Sequence, residues 1–197
     1  MTKNIILASG SPRRRQLLEY IIPEIIIAPS RSVDEAYPQE LPADDVPIYL
    51  SRLKAEAYLD LVTEDSIVIT ADTVVILDDQ ILGKPKDAND AINMLTSLSG
   101  RGHRVVTGVT VLSSEKAISF SETTDVLFDD VSNEDIKWYV YNYKPYDKAG
   151  SYGIQEWIGC IAISKIEGCY YNVMGLPLHS LYQVLKSDFA YTGSTSK

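Results

Sequence analysis

The chain has 197 residues, of which 45% are hydrophobic and 23% charged, and its formal net charge is -9. This composition is typical of a soluble globular domain long enough to bury a sizeable core, and the negative balance argues against general binding to nucleic acid or anionic membranes. The length suits one compact domain. Because no apolar run has the length of a membrane span or the form of a signal peptide, we expect a cytoplasmic protein.

The first predicted elements are an apolar strand at residues 5–7, a turn at residues 9–11 and a helix that begins at Pro12. Serine before proline fits an N-cap followed by the first helical position. The free backbone N–H groups and the positive dipole end of such a helix favour a phosphate or carboxylate. This stretch therefore predicts an anion site.

Three arginines, residues 13–15, follow in the first helical turn, where positive charge is normally avoided. An anion bound at the turn would offset their repulsion through guanidinium contacts. At about 100° per residue they cannot all face one ligand, so we expect Arg13 to reach it and one or two others to point to solvent or acidic neighbours. The alternative is a solvated basic turn on an ordinary amphipathic helix.

After a short strand at residues 25–28, residues 30–47 are polar and acidic and predict a long surface loop of the kind that often carries function. Glu35 lies near its start. A helix is expected from about Pro47 to Leu59. Lys54 lies off the apolar face of that helix, and taken alone it is best interpreted as a solvated lysine.

Residues 66–77 give the strongest strand signal in the chain, and Asp78-Asp79 turns this strand back into residues 80–82. Asp72 interrupts the apolar run. A carboxylate in mid-strand must find a partner or bear the cost of desolvation, which makes Asp72 a functional candidate. The alternatives are an edge position or the end of one strand before another begins.

Lys84 follows in a turn where its ammonium could reach a phosphate. The remaining elements are predicted in chain order: a helix at 88–98 capped by Asp87, a hairpin of 104–112 and 117–127, a helix from Ser132 to about Tyr143, paired strands at 160–166 and 169–173, a helix at 177–186, and a short frayed tail at 193–197.

Cysteine and histidine are too few and too far apart for the usual zinc or triad arrangements. Cys160 and Cys169 lie in apolar, strand-like segments and predict reduced structural residues. With only His103 and His179, a zinc site or a Ser-His-Asp hydrolase is poorly supported. Any metal would be a hard ion held by carboxylates.

Five motifs together resemble the Maf family of nucleoside triphosphate pyrophosphatases, in the family's order and across nearly the whole chain. They are LASGSPRR at 7–14, Ala-Asp-Thr at 71–73, Leu-Gly-Lys-Pro at 82–85, the segment from Asp147 to Gln155, and NVMGLPL at 172–178. One departure is Lys144 before Pro145, where the family usually has an acidic residue, so a local salt bridge or metal contact is not expected there.

The resemblance implies a mixed α/β fold of the Maf and inosine-triphosphatase type, with an elongated central sheet, flanking helices and two lobes around a cleft. It implies cleavage of a nucleoside triphosphate to the monophosphate and pyrophosphate with a divalent cation, Mg²⁺ or Mn²⁺. Thr73 together with Gln155 is similar to the branch that acts on dTTP and UTP, and modified pyrimidine nucleotides are further candidate substrates. Dimerisation is also a family expectation.

The same resemblance assigns the site residues. Asp72 is the expected general base, and Glu35 and Asp72 are the expected metal ligands. The expected substrate-binding residues are Ser9, Arg13, Lys54, Thr73, Lys84 and Gln155. The Gln155 amide offers one donor and one acceptor, which match the edge of uracil or thymine but can also pair with adenine.

Two other functions stay open at this point. A nucleotidyltransferase also combines a glycine-containing turn with arginine, a strand aspartate for Mg²⁺ and a downstream lysine. A nucleotide-binding regulator of cell division is the second alternative, because the family has been linked with that role.

Overall fold

The structure, a computed structural model, describes residues 3–192, so the predicted tail at 193–197 lies outside the described residues. The strands are β1 Asn4–Leu7, β2 Ile25–Ile27, β3 Ser66–Leu77, β4 Gln80–Leu82, β5 Gly102–Leu112, β6 Ala117–Phe128 and β7 Ile163–Glu167. The helices are α1 Pro12–Glu19, α2 Val46–Glu56, α3 Ala88–Leu98, α4 Asn133–Tyr143, α5 Trp157–Ala162, α6 Tyr170–Met174 and α7 Leu178–Asp188.

The strands of the described chain form one mixed sheet in the order β2-β1-β3-β5-β6-β7, with β4 also paired to β3. β1 is parallel to both β2 and β3, whereas β4 is antiparallel to β3 and β7 is antiparallel to β6. Helices flank this sheet, which confirms the predicted α/β class. None of the helices between residues 3 and 192 is both long and apolar enough to cross a membrane.

The chain divides into two compact units. Among the described residues, the first unit comprises 3–72, 107–122 and 175–192, and part of its core packs Ile6, Tyr58 and Val68 together. The second unit comprises 73–106 and 123–174, with a core built largely from α3, α4 and the strand residues that face them. The organisation as one domain with two lobes stays a prediction.

Local signals predicted the element boundaries well in the first two thirds of the chain. Ser11, Asp87 and Ser132 each accept a hydrogen bond from the backbone N–H three residues later, as expected of N-caps. Asp78 and Asp79 both have positive φ, 49° and 61°, which is the backbone that a two-residue hairpin turn requires. These features depend only on neighbouring residues.

The prediction of paired strands at 160–166 and 169–173 is wrong. Residues 157–162 form helix α5, only 163–167 form a strand, and 170–174 form helix α6. Ile158 and Ala162 are buried four residues apart, which is helical spacing, but a short apolar run does not separate a helix from a strand. Cys160 is exposed on α5 rather than buried in a strand, so the structural role predicted for it is also wrong.

Candidate functional site

Helix α2 lies directly on the sheet in the first unit because Gly108 of β5 has no side chain. A Cβ at Gly108 would stand 2.3 Å from both the Pro47 carbonyl carbon and the Ile48 nitrogen. Glycine therefore permits a backbone approach that no other residue would allow. This contact holds the first turn of α2 against β5.

Buried hydroxyls then fix the position of α2 along the sheet. Thr70 Oγ1 on β3 donates to the carbonyl oxygen of Ser51 at 2.7 Å, and Ser51 Oγ lies 2.9 Å from Thr110 Oγ1. Lys54 is three residues beyond Ser51 on the same helix face, and Asp72 is two residues beyond Thr70 on the same strand face. The register set by these hydrogen bonds brings Lys54 to Asp72.

Lys54 joins two carboxylates. Its Nζ lies 2.5 Å from Asp72 Oδ1 and 2.8 Å from Glu35 Oε1. Asp72 is 8% exposed, whereas the Glu35 side chain, from the loop before α2, is 52% exposed. The interpretation of Lys54 as a solvated lysine is therefore wrong. Asp72 lies within the continuous strand β3, so the strand-end alternative is wrong as well. β1 is paired with residues 66–69 of β3 and β4 with residues 75–77, and Asp72 lies in neither stretch, so the edge alternative is not contradicted.

The turn at residues 9–11 lies at the same edge of the parallel pair as Asp72. Leu7 ends β1 opposite Ile69 of β3, and the Ala8 N–H still donates to the Ile69 carbonyl at 2.9 Å. Asp72 follows three residues later, past the end of β1. The first loop and the strand carboxylate are thus neighbours in the first unit, as the anion-site prediction requires.

Arg14 contacts this turn directly. Its Nε donates to the Gly175 carbonyl at 2.8 Å, and its Nη1 lies 3.5 Å from Ser9 Oγ. Burial lowers the pKa of Arg14, while the negative charges of Asp72 and then Glu35 oppose that shift. Sequence reasoning chose Arg13 and missed Arg14. The available signal was its position three residues after the capping Ser11, which places both on one helix face.

The other two arginines follow the expectation in part. Arg13 is half-buried, and its charge lies close enough to lower the pKa of Arg14, so it belongs to the same electrostatic cluster. Arg15 instead pairs with Glu19, with Nε 2.9 Å from Oε1, on an exposed helix face. The expectation that one or two of the arginines point to solvent or acidic neighbours is confirmed for Arg15.

Three predicted residues belong to the second unit. Thr73 follows Asp72 on β3 and is half-buried. Lys84 is exposed beside Gly83, whose carbonyl accepts from the Gly150 N–H at 3.1 Å. Gln155 is also exposed. The Gly-Lys-Pro turn is therefore in contact with the 147–155 segment, and a role of these residues in substrate binding stays a prediction.

Glu35 and Asp72 are the carboxylates to which the sequence assigned a metal ion. Residues 3–192 contain no group of three or more His, Cys, Asp or Glu side chains arranged to hold an ion. Glu35 and Asp72 nevertheless direct one oxygen each to the same point, the Lys54 ammonium. Mg²⁺ often binds through one or two carboxylates together with substrate phosphates and waters. These two carboxylates could supply such ligands, and a divalent cation on them stays a prediction.

Comparison with known proteins gives consistent matches along the chain. A family model described as "Maf-like protein" matches residues 4–188. The chain is 47% identical over 182 residues to a dTTP/UTP pyrophosphatase of Bacteroides thetaiotaomicron, covering 92% of this chain and 94% of the relative. It is 50% identical over 187 residues to one of Porphyromonas gingivalis, covering 94% of both, and 46% identical over 183 residues to one of Christiangramia forsetii, covering 92% of both.

Proposed function

Because this chain belongs to the Maf family, we propose that it is a nucleoside triphosphate pyrophosphatase that hydrolyses dTTP and UTP to the monophosphate and pyrophosphate. The observation that carries the proposal is the Lys54 ammonium held between Glu35 and Asp72, at the sheet edge that also bears the arginine turn. The substrate follows from the name shared by relatives that match almost the whole chain.

The phosphates are the part of the substrate that this cluster recognises. The N–H groups at the start of α1, with Arg13 and Arg14, offer hydrogen bonds and positive charge to phosphate oxygens. Lys54 adds a third cation, so three positive groups face two carboxylates. This excess of positive charge stabilises the charge that develops on the phosphates during cleavage.

Asp72 is proposed as the general base. Its carboxylate accepts a proton from water, the water oxygen bonds to the α phosphorus, and the bond from that phosphorus to the bridging oxygen breaks so that pyrophosphate leaves. Lys54 holds Asp72 in place for this proton transfer. A divalent cation on Glu35 and Asp72, Mg²⁺ or Mn²⁺, would supply further positive charge to the phosphate oxygens.

The base is proposed to be selected by residues of the second unit. Gln155 offers the donor and acceptor pair that matches uracil and thymine, and its exposure leaves the amide open to a ligand. Thr73 and Lys84 complete the proposed set, with Lys84 as a point charge for a phosphate. Dimerisation and a cytoplasmic location stay predictions from the sequence.

The test is incubation of the purified protein with dTTP or UTP and Mg²⁺ without a second substrate. The monophosphate and pyrophosphate should appear in equal amounts. Asp72→Asn should reduce turnover by about 10²–10⁴-fold while nucleotide binding persists, since general-base catalysis typically contributes that much. Asp65→Asn, an exposed aspartate just before β3, is the matched control and should keep full activity.

The other two functions make different predictions. A nucleotidyltransferase would leave the triphosphate uncleaved in the absence of an acceptor. A regulator of cell division that acts only by binding nucleotides would keep its cellular effect in Asp72→Asn. Either result would contradict the proposed hydrolase.

A further inference from the structure

Gln155 lies in a tight turn immediately before α5. The Glu156 N–H donates to the Gly153 carbonyl at 3.0 Å, which closes the turn over residues 153–156. A Cβ at Gly153 would lie 3.0 Å from Gln155 Nε2 and 2.9 Å from Glu156 Cδ. The side chains of Gln155 and Glu156 therefore fold back over a glycine, and the place of the Gln155 amide depends on the shape of this turn.

One buried hydroxyl ties both ends of the turn to α4. Tyr139 Oη accepts a hydrogen bond from the Gly153 N–H at 3.3 Å and donates one to Glu156 Oε2. The Tyr139 ring is completely buried and stacks on Tyr143, with ring centroids 5.0 Å apart. Burial, then the hydrogen bond to Glu156, raises the pKa of Tyr139 well above its usual range, so the hydroxyl keeps the proton that it donates.

The second oxygen of Glu156 is also engaged. Lys148 Nζ lies 3.0 Å from Glu156 Oε1 and 2.8 Å from Asp147 Oδ1, and only 9% of the Lys148 side chain is exposed. Turning the Glu156 carboxylate away would remove one of the two carboxylates that pair with the largely buried Lys148 ammonium, which is unfavourable. Tyr139 and Lys148 thus fix the Glu156 carboxylate from two sides, and this restricts the position of the adjacent Gln155.

We propose that Tyr139 is a positioning residue for base selection: its hydroxyl, acting through Gly153 and Glu156, sets the place of the Gln155 amide and thereby the preference for uracil and thymine. This inference rests on the proposed function, because only that function gives Gln155 the task of reading the base. Recognition by hydrogen bonds requires accurate placement, and an error of about 1 Å costs up to about 10²-fold. Tyr139 itself need not touch the nucleotide.

The test variant is Tyr139→Phe, which removes one oxygen and keeps the ring. Its matched control is Tyr152→Phe in the same unit, where the buried hydroxyl lies 2.7 Å from His103 Nε2 and has no hydrogen bond to the 153–156 turn. The measurements are kcat and KM for UTP, dTTP and GTP. We expect Tyr139→Phe to lower the ratio of kcat/KM for UTP over GTP about tenfold, mainly through KM. Tyr152→Phe should leave that ratio within about twofold.

Two further variants separate this inference from the proposed function. Glu156→Gln, which removes the charge that faces Lys148, should reduce the same ratio, and Tyr139→Phe should change the ratio no further in a Gln155→Ala background. Suppose that Gln155→Ala lowers the ratio of kcat/KM for UTP over GTP. If Tyr139→Phe then leaves this ratio unchanged, or lowers kcat/KM equally for all three nucleotides, the positioning role is refuted and the proposed function stands. If the unmodified protein hydrolyses neither dTTP nor UTP, the proposed function fails, and this inference fails with it.

Discussion

Replacing Gly108 by alanine tests whether the contact between β5 and α2 places Lys54 beside Asp72. The added Cβ would stand 2.3 Å from the Pro47 carbonyl carbon and the Ile48 nitrogen and 2.4 Å from the Pro47 oxygen. Ordinary contacts need about 3.5 Å, so the backbone of α2 must move by roughly 1 Å. Both sides of the clash are backbone, and no flexible side chain can yield instead.

The expected effect has two parts. Overpacking typically costs about 1–3 kcal/mol in the free energy of unfolding, and a clash with backbone favours the upper end. At about 2–4 °C per kcal/mol for a chain of this size, Tm should fall by roughly 5–10 °C. Lys54 lies two helical turns beyond Pro47, so a similar shift would lengthen its 2.5 Å contact with Asp72. A misplacement of about 1 Å should lower kcat/KM for dTTP by up to about 10²-fold.

Thermal unfolding measures the loss of stability in Gly108→Ala, and steady-state release of pyrophosphate measures its loss of activity. Gly102→Ala is the control, because Gly102 lies on the same strand and its Cβ would meet its nearest atoms only at 4.0 Å. This control should keep the Tm and kcat/KM of the unmodified protein. A Gly108→Ala protein with unchanged Tm would refute the packing argument, and one with a lower Tm but full activity would show that Lys54 does not depend on this contact.

Three further predictions concern the metal, the base and pH. Chelation of divalent metal should abolish release of pyrophosphate from dTTP, and Mg²⁺ or Mn²⁺ should restore it; full activity in the chelator would contradict a metal on Glu35 and Asp72. Gln155→Ala should raise KM for UTP about tenfold at unchanged Tm, because the side chain is exposed, and an equal loss for every triphosphate would argue against base reading. Burial lowers the pKa of His103 from 6.5 to about 4, so the unfolded chain binds a proton that the native chain does not. The free energy of unfolding should therefore fall by up to about 3 kcal/mol as the pH is lowered from 6.5 to 4, and Tm should fall with it. His103→Gln should reduce this dependence of Tm on pH, whereas His179→Gln, at an exposed position, should leave it unchanged.

Much of the fold was predictable because its signals are local. A serine before proline caps α1, two adjacent aspartates form the turn after β3, and a largely apolar run of twelve residues makes β3 a long buried strand. Each depends on residues within a few positions of one another. The strands predicted where α5 and α6 occur were wrong because the determinants there are not local: the conformation of a short apolar segment depends on the residues that it packs against.

The family and its proposed chemistry could be predicted from ordered sequence motifs, which contain the arginine turn, the strand aspartate and the glutamine. The three-dimensional packing was needed to show which groups pair. It joined Lys54 to Glu35 and Asp72, brought Arg14 to Gly175, and placed the Tyr139 hydroxyl on the turn that bears Gln155. These partners lie between 14 and 161 residues apart in the chain. Contacts over such separations arise from the packing of helices on the sheet, which no local pattern of residues encodes.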